Sequence, residues 1–303
     1  MADPKTNIAA SVRDRLKNEA RKQGTTLNAL LIRYGLERFL YRLGQSPHRD
    51  RYLLKGAMLF VSWADMPFRQ TQDLDLSAPA PFDPDRVEAD IRDICAMAIE
   101  PDDGLAFEAD SLRVEQIREA NSYHGFRVRF AWTLGQARIT NQIDIGFGDA
   151  ITPGPVEMDY PALLDMPQAH IWAYPRETVV AEKFEAIVSI GLANSRMKDF
   201  YDLWLMSETF KFDGALLQDA VRTTFERRGT ELPTEPPAGL QDDFAADPDR
   251  KAMWEAFVRR AEVKNAPAFN EVIVRLRDFL IPLAQRDVDG LNWNDASWGR
   301  TSK

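Results

Sequence analysis

One cysteine and three histidines among 303 residues leave little material for the commonest metal and nucleophile chemistries. A single thiol, Cys95, allows no disulfide framework and no cysteine-rich metal site, and it falls on the apolar face of a predicted helix, where packing explains it. His48, His124 and His170 stand in unrelated contexts, which argues against a zinc centre or a Ser-His-Asp triad and leaves only a lone histidine base open. Long apolar runs are missing too. None approaches the roughly 20 residues that span a bilayer, and the opening Met-Ala-Asp-Pro-Lys is not a secretory signal. No membrane partner and a cytoplasmic location are therefore expected. There is no internal repeat and no low-complexity segment.

What is present can fill real cores, since 45% of the residues are hydrophobic. The net charge of −9 is unevenly spread. Residues 1–55 carry 12 Lys and Arg against 5 Asp and Glu, whereas the remainder has 26 against 42. Such a basic N-terminal part could touch phosphates, and a solvated basic helix face explains the same count.

Residues 7–22 predict a helix with Ile8, Val12, Leu16 and Ala20 on one face, stopped at Gly24. A second, capped by Thr25 or Thr26, carries Leu27, Leu30, Leu31, Tyr34, Phe39, Leu40 and Leu43 as its apolar stripe, with Arg33, Arg38 and Arg42 off it. Tyr52–Lys55 predicts a short buried strand, Gly56 a turn, and Ala57–Ala64 a helix. Next comes Arg69-Gln-Thr-Gln-Asp73-Leu-Asp75-Leu76, then a helix over 85–99. Alternation over 105–119, 126–132 and 137–145 predicts three antiparallel strands. The proline-rich 151–175 is expected to be a loop and a domain boundary, with helices after it and a loosely packed tail from Asp287. The fold class is thus α+β (mixed α/β): a basic helical region over 1–50, a mixed-sheet core over 51–170, a helical domain over 171–290 and a tail over 291–303.

Asp73 and Asp75 lie two apart on a predicted strand, so both carboxylates point one way and Leu74 and Leu76 the other. Neighbouring carboxylates repel unless a cation sits between them, and a hard divalent ion removes that penalty. Asp144, between Ile143 and Ile145, faces away from the apolar side in the same manner, so three aspartates could meet on one face. A solvated acidic strand face explains each of them singly.

The order strand, glycine, helix, acidic pair and a later lone aspartate resembles the nucleotidyltransferase fold shared with DNA polymerase beta. Five segments are similar to the AbiEii/AbiGii-like toxin branch, which includes the MenT toxins. They are Leu54-Lys55-Gly56-Ala57, Arg69-Gln-Thr71-Gln-Asp73-Leu-Asp75, Ile143-Asp144-Ile-Gly-Phe-Gly148-Asp149, Ala181-Glu182-Lys183 and Arg196-Met-Lys198-Asp199-Phe-Tyr-Asp202. Gly56-Ala57 departs from the Gly-Ser form of the fold's usual Gly-Ser or Gly-Gly signature by lacking a hydroxyl. The resemblance implies a nucleotidyltransferase core over 51–170, acting as the toxin of a toxin–antitoxin pair. Such an enzyme moves NMP from an NTP to an RNA acceptor, often a tRNA 3′ end, and so stops translation.

By the same resemblance the enzyme uses two Mg2+ (or Mn2+) ions, held by Asp73 and Asp75, with Asp144 helping to ligate the catalytic ion and activating the acceptor hydroxyl. Lys183 reaches the triphosphate, Gly56 and Ala57 offer backbone amides to it, and Thr71 lies on the nucleotide's approach. Arg69 and Lys55 bind phosphate or tether the acidic strand. Asp199 sits at the nucleotide or metal rim, although an ion-pair cluster of Asp199 and Asp202 with Arg196 or Lys198 accounts for the same spacing. A nucleotide-binding interaction module without catalysis, a D-x-D glycosyltransferase and a helical adaptor are the competing readings. The glycosyltransferase would need neither Asp144 nor Lys183.

Overall fold

The computed structural model describes residues 4–63, 71, 73–79, 83–118, 124–263, 265–286 and 288–300, and the chain divides into two units. The first comprises 1–149 and 156–173, the second 150–155 and 174–303.

In the first unit, α1 (Pro4–Gln23) and α2 (Leu27–Gln45) precede β1 (Leu53–Lys55), α3 (Leu59–Trp63), β2 (Asp73–Ala78) and α4 (Pro84–Ala96). β3 (Leu105–Arg118), β4 (His124–Leu134) and β5 (Ala137–Phe147) follow, then β6 (Val156–Tyr160) and β7 (Ala169–Ala173). All seven strands form one sheet in the order β3-β4-β5-β2-β1-β7-β6. The pairs β2/β5 and β1/β7 are parallel and the others antiparallel, so the sheet is mixed. Thr26 caps α2 by accepting from the Ala29 N–H, and the Asp83 carboxylate caps α4 through the Asp85 N–H.

The apolar face of the sheet carries Leu54, Leu74, Leu76, Val128, Ile143 and Ile145, all buried. α2 lies against this face. At Gly35 an added Cβ would stand 2.5 Å from Asn141 Oδ1, so the lack of a side chain lets the helix approach β5. Asn141 shares its face with Ile143 and Ile145, and its amide donates to the Ile32 carbonyl. Because side chains alternate along β5, Asp144 is committed to the opposite face.

Several elements depart from the sequence expectation. The segment 151–175 holds β6 and β7, with β7 parallel to β1. Its prolines lie outside the two strands, which is why proline content alone misread it. The entry to α3 is a 3-10 turn, Gly56–Met58, in place of an α-helical first turn, and Ala64, where that helix was expected to end, lies outside the described residues. Arg38 and Arg42, expected off the apolar stripe, are buried. Arg42 donates from both terminal nitrogens to Asp103, at 2.6 and 3.1 Å, and Arg38 donates to the Pro167 carbonyl. Pairing with a buried aspartate offsets part of the cost of burying these charges, and burial withdraws two arginines from the basic surface. Exposed charge persists on α1, at Arg13, Arg15, Lys17, Arg21 and Lys22.

The second unit holds α5 (Arg176–Ile190), α6 (Met197–Thr209), β8 (Phe212–Asp213), α7 (Gly214–Arg228), α8 (Asp242–Ala246), α9 (Pro248–Arg260) and α10 (Phe269–Gln285). The tail forms a hairpin, β9 (Leu291–Asn294) and β10 (Ser297–Arg300), and joins β8 in a three-stranded sheet. It is not loosely packed. Trp293 is buried, packs tilted against Phe279 with ring centroids 4.7 Å apart and donates its indole N–H to the Ser207 carbonyl at 2.7 Å. Among the described residues no helix is long and apolar enough to cross a membrane.

Candidate active site

Strand register assembles the site. Lys55 on β1 pairs with Asp75 on β2, and Asp75 with Asp144 on β5. Asp144 in turn pairs with Arg127 on β4, and Arg127 with Glu115 on β3. Residues paired across neighbouring strands, about 4.8 Å apart, point to the same face. Five charged side chains thus form one row across the face away from α2, with the two aspartates at its centre. Asp73, two residues before Asp75, pairs with Gln142 and belongs to the same face.

Within the row the contacts are specific. Arg127 grips Asp144 with a two-pronged fork, Nε donating to Oδ1 at 2.8 Å and Nη2 to Oδ2 at 2.7 Å. These bonds, and then the charges of Asp144, Asp73 and Glu115, push the Arg127 pKa further up, so the guanidinium is permanently cationic. At the other end Lys55 donates to buried Asp149 at 2.9 Å, and Ser77 also reaches Asp149. A Cβ on Gly146 would stand 3.0 Å from the Lys55 nitrogen, so a bare residue at 146 clears the path of the lysine. In the sequence Asp149 is only the last residue of a motif, and nothing in its spacing signals the pairing with Lys55 94 residues away.

Gly56 adopts a φ of +71°, the left-handed region that glycine enters without penalty. A Cβ there would lie 2.1 Å from Asp75 Oδ2 and 2.8 Å from Asp75 Cβ. The glycine is thus required by the Asp75 carboxylate, which packs directly against its backbone. Ala57 is buried, and only its main chain could serve a ligand. The Thr71 hydroxyl donates to the Asp73 carbonyl and accepts from the Asp73 N–H, so it shapes the approach to the acidic strand. Arg69 lies outside the described residues.

Lys183, Asp199 and Asp202 form a cluster of their own in the second unit. The Lys183 ammonium donates to Asp199 Oδ1 at 2.6 Å and Asp202 Oδ2 at 3.0 Å, and Arg196 pairs with the second oxygen of Asp199. Both aspartate side chains are 1% exposed. Burial pushes the Asp199 carboxyl up, but Lys183 and Arg196 outweigh that and hold it well below the usual carboxylate range. Glu182 pairs with Arg228 at 3.3 Å.

Among the described residues no three acidic, histidine or cysteine side chains are already drawn together tightly enough to hold a metal ion. The donor set nonetheless fits magnesium, which takes one or two carboxylates and completes its shell with water and substrate phosphate. Asp73, Asp75 and Asp144 provide hard oxygens on adjacent strands of one face.

A family model described as "Nucleotidyl transferase AbiEii toxin, Type IV TA system" matches residues 38–275. The chain belongs to the AbiEii family. The match takes in the charged row as well as the Lys183 cluster. AbiEii membership makes the protein a nucleotidyltransferase of a toxin–antitoxin system, with a nucleotide as substrate and a cognate antitoxin as partner. Two solved structures are similar. JHP933 from Helicobacter pylori is 13% identical with a TM-score of 0.46, over 86% of this chain and 91% of that one. A second H. pylori protein, described as a candidate nucleotidyltransferase, is 14% identical with a TM-score of 0.45, over 86% and 94%. No curated relative matches the chain in sequence.

Proposed function

We propose that this AbiEii protein transfers a nucleoside monophosphate from an NTP to an RNA acceptor, a tRNA 3′ end, and thereby blocks translation. The observation that carries the reading is the register of β2 and β5, which sets Asp75 beside Asp144 with Asp73 on the same face. Asp73, Asp75 and Asp144 would hold Mg2+ or Mn2+, which supplies charge neutralisation for the triphosphate and the leaving pyrophosphate. Asp144 orients the acceptor hydroxyl and takes its proton. Gly56 leaves room for the Asp75 carboxylate and, with Ala57, offers main-chain amides to phosphate. Thr71 fixes the backbone at Asp73, and Arg69 is assigned to phosphate as a reading of the sequence alone. Lys183 takes the role that the resemblance implies, that of triphosphate cation, whereas Asp199, which the resemblance puts at the nucleotide or metal rim, serves with Asp202 to hold the lysine charged. The exposed basic residues of α1 suit the backbone of an RNA acceptor, so binding should weaken as salt rises.

The test is incubation with each α-labelled NTP, magnesium and total RNA, comparing the wild type with Asp75→Ala. Label should enter RNA with the wild type alone and vanish when EDTA is added. Label in neither sample overturns the reading.

A further inference from the structure

The Arg127–Asp144 fork stands where the proposed reaction needs an available acid. The guanidinium occupies a lone pair on each oxygen of Asp144 and neutralises its charge. A divalent ion approaching that carboxylate meets a fixed positive charge a few ångströms away, and the two repel. Arg127 cannot relieve this by losing its proton. Movement of the guanidinium relieves it. Asp73 and Glu115 also act on the charge of Arg127, and Glu115 is its cross-strand neighbour on β3, itself paired with Arg129. Arg127 also stands one strand beyond Asp144, with Asp75 one strand to the other side, so phosphate lying over the aspartates would come within its range.

We propose that Arg127 is a latch on Asp144: it caps the acid in the resting protein and transfers its guanidinium to a nucleotide phosphate when the metal–nucleotide complex arrives. The inference rests on the proposed function, because it takes Asp144 as a metal ligand. It adds a positioning residue that couples metal binding to nucleotide binding. Metal alone has to displace a cation, whereas metal with nucleotide provides that cation with a new partner. The resting site therefore discriminates against bare divalent ions.

The test measures Mn2+ binding to the full chain by electron paramagnetic resonance, with and without a non-hydrolysable NTP analogue. The wild type, Arg127→Met, Arg127→Lys and Asp144→Asn are compared. Arg127→Met should bind Mn2+ alone about tenfold more tightly than the wild type, a moderate figure because the pair is partly exposed. It should bind the analogue with Mn2+ about tenfold more weakly. Arg127→Lys, which keeps the charge and loses the fork, should fall between the two in both measurements, and it decides the matter should the methionine variant fail to fold. A fixed structural staple would instead lower the melting temperature with both affinities unchanged, and that outcome, or weaker Mn2+ binding, overturns the latch. Unchanged Mn2+ and analogue binding by Asp144→Asn would remove Asp144 from the metal site and overturn the proposed function's assignment itself. Weaker binding by Asp144→Asn together with unchanged binding by both Arg127 variants would sink the latch alone.

Discussion

Replacing Gly56 with alanine should damage stability and chemistry together, for two separable reasons. The first is the backbone, since a φ of +71° costs an L-residue about 1–2 kcal/mol. The second is space. The new Cβ would meet Asp75 Oδ2 at 2.1 Å, Cγ at 2.7 Å and Cβ at 2.8 Å, so rotating the carboxylate does not remove the clash and β2 itself must shift. Overpacking of that kind adds about 1–3 kcal/mol. Gly24→Ala provides the control, because its φ of +67° imposes the same backbone cost with nothing within 4 Å of the added carbon. Thermal denaturation should place Gly24→Ala a few degrees below the wild type and Gly56→Ala roughly 10 °C below it, at about 2–4 °C per kcal/mol for a domain of this size. Labelled-nucleotide transfer should survive in the first and fall at least 100-fold in the second. In an Asp75→Ala background the stability cost of Gly56→Ala should shrink by about 1 kcal/mol, as expected for residues in contact. Equal melting temperatures for the two glycine variants, or full transfer by Gly56→Ala, would refute the claim that Gly56 exists to seat Asp75.

Other parts of the chain offer independent checks. Lys183→Met leaves Asp199 and Asp202 buried without their shared cation and should cost about 3–5 kcal/mol in urea unfolding; a loss below 1 kcal/mol would disprove the cluster. Because the folded Asp199 pKa is depressed, its contribution is complete above about pH 4, near the unfolded value, and drains away as the pH falls further, so acid unfolding should begin at higher pH in Arg196→Ala than in the wild type. Burial raises the Glu37 carboxyl to about 7 despite the Leu163 N–H and Arg38 that bind it. The stability linked to its protonation is complete below about pH 4.5 and lost as the pH rises through 7, so wild type should weaken relative to Glu37→Gln by about 2–3 kcal/mol between pH 5 and pH 8. A constant difference between those two proteins would show that Glu37 titrates normally. Trp293→Ala should cost about 3–5 kcal/mol and expose the second unit to protease, whereas a loosely attached tail would tolerate it.

Much of the fold and of the acidic face was readable from alternation. Leu74 and Leu76 against Asp73 and Asp75, and Ile143 and Ile145 against Asp144, assign each carboxylate to the polar face without any structure. Their neighbours were not readable, because register is a property of two strands and the pattern within one strand does not contain it. Arg127 illustrates this. Its place between Phe126 and Val128 says that it points with the polar side chains, yet only the pairing with β5 puts it on Asp144. Asp103 was missed for a related reason, since the counter-ion of Arg42 lies 61 residues away, beyond any helical spacing. β7, Ala169-His-Ile-Trp-Ala173, does alternate, but prolines on both sides outweighed five residues of signal. The tail hid its packing behind Asn, Asp, Gly and Ser, although its tryptophans were the better guide.

Parallel neighbours cannot be joined by a tight turn, so β2 and β5 are bridged by an excursion that contains α4, β3 and β4. During synthesis the aspartate pair therefore leaves the ribosome well before the strand that completes it. A nascent chain with Asp73 and Asp75 already folded still lacks Asp144, its guanidinium cap and the hairpin that aims both. On the proposed function, a chain that stops anywhere within that stretch lacks the strand that carries Asp144, and with it one side of the acidic face.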